Sequence, residues 1–596
     1  MTTYLLAIAV GPVQDFIAAA RRTRDLWYGS FLLSEISKAV ARTLSTHGEL
    51  IFPAPLNPLL DLEEGSAMNV ANVIVIMTHA GEDPKHLSML AEQAARESWQ
   101  MAAQNAVLKL SGAKAAVQVN QKRWNEQLKD VVQCYAAWVS YAPEQDDYVA
   151  KRKRLMRLLS GRKTCRDFVP AAETQYRLAK SSLDGSRETI FDGKVNVDAI
   201  PAELRGQLRL TSGEQLDAIG LTKRMGGDRH GCPSVSTIAA SPWARGSRFK
   251  YPAELAQLVK SCESLVSCGL GRAKWLQFDS LPYEGTVAYR HRHQLLKEEL
   301  INNIKDEKEM DAFNHMRRTI DELEKVMHEP SPYFAIIAAD GDRMGATISE
   351  LATPEDHRRF SQALSLWAAE ANQVIANHFG WPVYVGGDDV LAFVPLDTSL
   401  HCAQVLHDGF ALAVGRQALS NQPTLSVGLA IIGFQEPMEL SLNYARQAEK
   451  AAKGTDRDGL AIHYHPGSGA PILVRGRWVD GIAARLEKLT VLHRDNLIGD
   501  KAAYDLRELS RLYENWPQSP DTDRVLRADV DRLLSRKPGA QALPLAHGFS
   551  EIKDSLSCAQ DVVALANQVI ITRLLGKAQS VSGWSPADTA DGGQKR

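Results

Sequence analysis

Gly386-Gly387-Asp388-Asp389 lies between the apolar runs Val383-Tyr384-Val385 and Val390-Leu391-Ala392-Phe393-Val394. Two glycines let a backbone turn tightly and come close to a phosphate or a nucleobase. Two aspartates supply hard oxygen ligands, suited to Mg2+ or Mn2+ shared with substrate phosphates. Upstream, the strand-like run Phe334–Ala339 delivers Asp340-Gly341-Asp342, with Met344-Gly345 just beyond. Two acidic strand tips in one sheet imply nucleotidyl transfer. Taken alone, the four-residue motif reads equally well as an acidic hairpin turn, so the surrounding elements decide.

Those elements are well marked. Thr353-Pro354-Glu355-Asp356 combines a capping residue, a first-turn proline and acids at the positive helix end, and predicts a helix running to Gly380. After the hairpin the pattern predicts a helix over 399–418, a strand over 424–432, a helix over 439–453 and a strand over 459–464. The order β-α-α-β-β-α-β-α-β is that of a ferredoxin-like palm with its acids at adjacent strand ends. The N-terminus echoes it: the apolar run Tyr4–Val10 enters Gly11-Pro12-Val13-Gln14 and then a helix. Either this is a second, degenerate palm without metal-binding acids at its tip, or an ordinary strand-to-helix turn.

At 596 residues the chain has room for several domains, and its composition (44% hydrophobic, 23% charged, net charge −2) is that of a globular protein with no global bias toward nucleic acid. No apolar run reaches the ~20 residues of a membrane span. The start Met1-Thr2-Thr3-Tyr4 has no basic n-region, and the seven scattered cysteines fit a reducing cytoplasm. The cysteines include no Cys-x-x-Cys pair, so no zinc is expected. Phosphate-loop, nucleophile-elbow and His-Glu-x-x-His motifs are absent. His407-Asp408, the one adjacent His-Asp pair, reads as a solvated helix face. The expected architecture is α+β, with two ferredoxin-like palms: a degenerate palm with helical inserts (1–220), a mostly helical connector (221–330), the catalytic palm (331–470) and a helical C-terminal domain (471–596). From about Ser580 the Ser/Gly/Asp-rich tail is expected to be mobile.

Further segments carry a resemblance. Gly11-Pro12-Val13-Gln14-Asp15-Phe16-Ile17, Ala20-Arg21-Arg22-Thr23-Arg24-Asp25-Leu26-Trp27, Gly29-Ser30, Lys180–Gly185, Gly213–Asp217 and Pro233-Ser234-Val235-Ser236 join the two acidic motifs in order along residues 4–465. The chain resembles the large palm subunit of type III-B (Cmr) CRISPR effector complexes. That resemblance implies other Cmr-type subunits, a guide CRISPR RNA and a complementary target RNA as partners. It implies target-activated conversion of ATP to cyclic oligoadenylate messengers. The family's N-terminal His-Asp nuclease domain, present in many members, has no counterpart before Tyr4, so no intrinsic DNA cleavage is expected.

In such a site Asp340 and Asp388, with the Gly341 carbonyl, would hold magnesium, while Asp342 and Asp389 complete or tune the cluster. Asp342 could instead cap the following helix, and Asp389 could pair with a nearby base. Gly345, Gly386 and Gly387 would admit the nucleotide. Lys450 and Lys453 would reach the triphosphate, or simply complement the helix C-terminus. The densest basic stretch, Lys151, Arg152, Lys153, Arg154, Arg157, Arg162, Lys163 and Arg166, could track RNA phosphates or be a solvated helix or subunit contact. Arg21, Arg22 and Arg24 carry the same alternatives. Arg485, Arg507 and Arg511 alternate with apolar positions, as in a packed bundle. Rival readings are the same palm making a different AMP-containing nucleotide, and a non-enzymatic RNA-binding scaffold.

Overall fold

The computed structural model describes residues 2–113, 116–165, 178–193, 195–201, 204, 208–211, 213–227, 232–272, 278–301, 304, 306–415, 422–535 and 549–587. Its first unit consists of β1 (Tyr4–Gly11), α1 (Thr23–Ser45), β2 (Gly48–Phe52), β3 (Val73–Thr78), α2 (Pro84–Lys109), β4 (Gln133–Ser140) and α3 (Tyr148–Thr164). β1 is an unbroken apolar run because it is covered on both faces. Leu6, Ile8 and Val10 pack under α1 and α2, while Leu5, Ala7 and Ala9 pack under α3. The sheet order is β2-β3-β1-β4, every neighbour antiparallel.

A connector of α4 (Val235–Lys250), α5 (Pro252–Ser264) and α6 (Glu307–Met327) leads to the second unit. That unit comprises β5 (Tyr333–Gly341), α7 (Met344–Glu350), α8 (Pro354–Asn377), β6 (Trp381–Gly386), β7 (Asp389–Val394), α9 (Ser399–Gly415), β8 (Leu425–Gly433), α10 (Met438–Lys453), β9 (Gly459–Tyr464) and β10 (Ile472–Arg477). Its sheet runs β10-β9-β8-β5-β7-β6. Counting strands from β1 in one unit and β5 in the other, both sheets contain the spatial order 4-1-3-2 of a ferredoxin-like fold. The N-terminal echo is therefore a repeat of topology. The second unit adds β9, parallel to β8 across α10, and β10, antiparallel to β9. The palm sheet thus continues to Arg477, past the expected boundary at 470, because Ile472–Arg477 pairs fully with β9.

The second sheet is also covered twice. Ala335, Ile337 and Ala339 face α8 and α9, and this core continues into the C-terminal helices α11 (Ile482–Arg494), α12 (Ala502–Tyr513), α13 (Pro520–Leu534) and α14 (Ala559–Ser582). Phe334, Ile336 and Ala338 face the connector and α10. The expected mobile tail is ordered further than its composition suggested. α14 runs to Ser582, and Trp584 is 6% exposed against His378 and His401. Arg485 and Arg507 bond Gln568 and Asn567 of α14, whereas Arg511 is exposed. Thr353 and Asp356 form the reciprocal capping box that starts α8.

The two units meet directly. Trp27 of α1 packs on Trp381 of β6 with ring centroids 6.0 Å apart. Arg358 of α8 reaches Glu49 at 2.7 Å and the Leu50 carbonyl at 2.8 Å, and Tyr148 hydrogen-bonds His357 at 2.9 Å. Among the described residues no helix is long and apolar enough to cross a membrane.

Candidate active site

β5 carries Asp340 to the end of the sheet, and the β6–β7 hairpin carries Asp388 and Asp389 to the same end. Gly386 pairs with Asp389, leaving Gly387 and Asp388 as a two-residue turn. Gly387 has φ +66°, at the first central position, where a type II′ turn needs glycine. The two tips touch: Gly341 N donates to the Asp388 carbonyl at 3.1 Å. A Cβ on Gly341 would lie 2.8 Å from the Asp388 Cβ, so only glycine lets the hairpin sit so near β5. Gly386 lies over the Tyr384 hydroxyl, while the missing side chain of Gly345 would enter open space.

Crowding makes these carboxylates costly to ionise. Burial, then repulsion from Asp340, pushes the Asp388 carboxyl up to about 6. Asp389 lies at the accessible rim of the hairpin but is packed round by protein. That surrounding protein, then Asp340, Asp388 and Glu449, pushes its carboxyl up to about 7. Tyr384, beneath the hairpin, is raised by burial and then by all three carboxylates. Lys453, the final residue of α10, bonds Asp340 and lies 3.1 Å from Glu449. Burial opposes its charge, but the bond to Asp340 and the pairing with Glu449 outweigh it and hold the ammonium above its ordinary range. Lys450 is exposed on the same helix.

The donor set fits a hard divalent cation. Three clustered carboxylates share one close lysine, and two of the three are held toward neutrality for want of positive charge. Among the described residues no three His, Cys, Asp or Glu side chains enclose a metal by themselves. Magnesium, which takes one or two carboxylates and completes its octahedron with water and substrate phosphate, needs no such enclosure.

Asp342 has one oxygen engaged elsewhere and the other buried without a hydrogen-bond partner among the described residues. It is 1% exposed, and its Oδ2 accepts from Thr424 Oγ1 at 2.8 Å, Ser426 Oγ at 2.8 Å and Asp458 N at 3.0 Å. These bonds tie the β5 tip to β8 and to the loop after α10. His407 belongs to the same assembly and corrects the solvated-face reading of His407-Asp408. Only Asp408 is exposed, whereas His407 bonds Asp458 at 2.9 Å and stacks on Trp478 at 4.5 Å. His407 also meets its neighbour Asp408 at 2.9 Å, but Asp458 and Trp478 are 51 and more residues away in sequence, beyond the reach of a local motif.

The basic stretch divides. Arg152 is buried beside Tyr148, and Lys151 bonds the Ser140 carbonyl at 2.9 Å. Lys153, Arg154, Arg157 and Lys163 are exposed along α3, Arg162 lies over the Tyr135 ring, and Arg166 falls outside the described residues. Arg22 bonds the Arg209 carbonyl, burial lowers both Arg22 and Arg24, and Arg21 is exposed.

Comparison with known proteins matches this layout. Residues 333–461 fit the model of the Cas10/Cmr2 second palm domain, and residues 5–130 fit that of the CRISPR-associated protein Cmr2 N-terminal region. Two stretches of the chain, one in each palm, thus match Cas10/Cmr2 proteins. The chain is 23% identical to the CRISPR system Cmr subunit Cmr2 of Pyrococcus furiosus, across 93% of this chain and 71% of that one. The type III-B Cmr-beta structure in its apo state shares the fold with a TM-score of 0.64 at 14% identity, covering 90% of this chain and 78% of the other. The Cmr-beta structure bound to cognate target RNA gives 0.61 at 13% identity, covering 89% and 78%. The Cas10/Cmr2 palm is nucleotidyltransferase-like, and in this chain its acidic tips are Asp340 and the Gly386–Asp389 hairpin.

Proposed function

We propose that this subunit of a type III-B effector complex converts ATP to cyclic oligoadenylate when the complex engages RNA complementary to its guide. The observation that supports it best is the close meeting of Asp340, Asp388 and Asp389 at the two touching strand tips. A bound Mg2+ or Mn2+ would neutralise phosphate charge and lower the pKa of a ribose hydroxyl. Asp340 and Asp388 would hold the cation, with Asp389 as the outer member of the set. The hairpin would place one nucleotide's α-phosphate near another's ribose hydroxyl. The hydroxyl oxygen forms a bond to that phosphorus and loses its proton as the bond to pyrophosphate breaks. Such a reaction needs alignment and charge neutralisation more than covalent help.

The chain's own residues do the rest. Lys453, once exchanged from Asp340 to a triphosphate, and Lys450 beside it supply positive charge. Gly345 leaves room for the nucleotide at the start of α7. Asp342 anchors the β5 tip through Thr424, Ser426 and Asp458. The expected partners are other Cmr-type subunits, a guide RNA and target RNA, as the relative bound to cognate target RNA suggests.

The decisive experiment assembles the complex with guide RNA and supplies labelled ATP and magnesium, with and without complementary RNA. Asp388→Ala/Asp389→Ala serves as the control, and products are identified by mass spectrometry. Target-dependent cyclic oligoadenylate that vanishes in the variant supports the proposal. An AMP conjugate formed with an added metabolite changes the product, and absence of any product leaves an RNA-binding scaffold.

A further inference from the structure

In the first unit, the connection topologically equivalent to the Gly386–Asp389 hairpin is the long segment 53–72 between β2 and β3. This segment has an anchored backbone. Glu35 and Lys38 of α1 form a buried pair at 2.7 Å, exposed by 8% and 2%. Glu35 accepts from Gly65 N at 3.0 Å, Lys38 donates to the Ser66 carbonyl at 2.8 Å, and Ser34 Oγ accepts from Val70 N at 2.9 Å. Between these anchors, Asn69 leaves its own unit and donates from Nδ2 to the Val385 carbonyl at 2.8 Å.

Val385 immediately precedes Gly386, and β6 is the edge strand of the second sheet. Asn69 therefore supplies a hydrogen-bond donor to an edge that has no neighbouring strand. α1 also grips the other end of β6, where Trp27 packs on Trp381. An edge held only by its hairpin partner can shift, and a carboxylate displaced by a fraction of an ångström loses alignment with phosphate.

We propose that Asn69 is a positioning residue for the acidic hairpin: the degenerate palm, through its β2–β3 segment, fixes where Asp388 and Asp389 stand. The proposal rests on the nucleotidyl-transfer reading for its effect on rate, but not for its effect on the hairpin. It gives the first palm a task in the site without a metal ligand at its own tip.

The test compares Asn69→Asp, Asn69→Ala and Asn72→Ala in the full chain assembled with its complex. Asn69→Asp keeps the shape but replaces the donor by an acceptor facing a carbonyl. Asn72→Ala is the control, because among the described residues the Asn72 side chain bonds the Val10 carbonyl of its own unit, at 3.3 Å. For both Asn69 variants, kcat should fall about tenfold, with the KM for ATP within about twofold of wild type. Amide hydrogen exchange across residues 386–390, without nucleotide, should quicken about tenfold in Asn69→Asp and stay unchanged in Asn72→Ala. If exchange and kcat are both indifferent to Asn69→Asp in an active complex, the proposal is overturned. Should Asp at 69 behave as wild type while Ala does not, space-filling replaces the donor role and the proposal also fails. If the wild-type complex makes no product, the transfer reading fails alone, and hairpin exchange still decides whether Asn69 holds the edge.

Discussion

The two palms share one strand order and handle charge in opposite ways. Near the tip of the first, charges are paired inside the protein. Arg224 bonds Asp25 through two nitrogens at 2.6 and 2.9 Å and Glu214 at 2.9 Å, all three side chains being 3% exposed or less. Lys223 caps the Phe16 and Ala19 carbonyls. At the tip of the second, the cation acting on Asp388 and Asp389 among the described residues is Lys453, and it is bonded to Asp340. The same fold thus uses buried ions as fasteners at one tip and leaves negative charge unbalanced at the other. Unbalanced charge in a cleft is what a cationic or cation-bearing ligand can exploit.

The sharpest way to break that contrast is to neutralise the unbalanced end. Asp388→Ala/Asp389→Ala should lower ATP turnover on the order of 10^4-fold, about 5.5 kcal/mol of barrier. Its melting temperature should be no lower than wild type, because repulsion is relieved. Labelled-ATP assays and thermal melts read the two effects. Unbalancing the first tip should do the reverse. Arg224→Met leaves Asp25 and Glu214 without the buried cation that hydrogen-bonds both and should cost about 3–5 kcal/mol of stability. Denaturant titration of the first unit's tryptophan signal would show it, and a smaller loss would mean that the carboxylates are protonated at little cost.

The junction between the palms offers a third test. Burial, then the charge of Arg152, lowers the His357 pKa to about 4, against about 6.5 for a free imidazole. A folded-state value below the unfolded one means that protons bind the unfolded chain more readily. Stability should be full above pH 6.5 and fall on the order of 3 kcal/mol as pH drops toward 4. Melts of wild type and His357→Gln across that window should converge at acid pH, and parallel curves would assign the acid loss to other groups. The smallest effect belongs to the turn itself. Gly387→Ala forces a Cβ into φ +66° and should cost about 1 kcal/mol, visible as faster amide exchange at residues 386–390.

What the sequence disclosed follows the same division. The second palm was legible because its signals are local: the acidic hairpin lies within four residues, and the Thr353–Asp356 box announces α8. The first was half legible, since Tyr4–Gln14 displays a strand and a tip but not the sheet order that makes it a palm. The fasteners were hidden by distance, Asp25 and Arg224 being 199 residues apart. His407 was misjudged because a helix face looks solvated until the loop carrying Asp458 folds over it. Asp342 read as a member of the acidic cluster or as a helix cap, and nothing local shows that Thr424 and Ser426 bond its Oδ2. The ordered end of α14 was masked by small polar residues, with Val581 and Trp584 the apolar clues.

α10 lies between β8 and β9 as a ruler of fixed length. A Cβ on Gly428 would stand 2.2 Å from the Glu449 nitrogen, so the helix backbone rests directly on the strand beneath it. Lys453 is the last mark on that ruler and meets Asp340 only at its present azimuth. One inserted residue would swing the lysine by about 100°, and four would bring it back to within about 40° but carry it about 6 Å along the axis. Mutational scanning of α10 should therefore find its outer face, Lys450 apart, forgiving of substitutions and the whole helix intolerant of insertions and deletions.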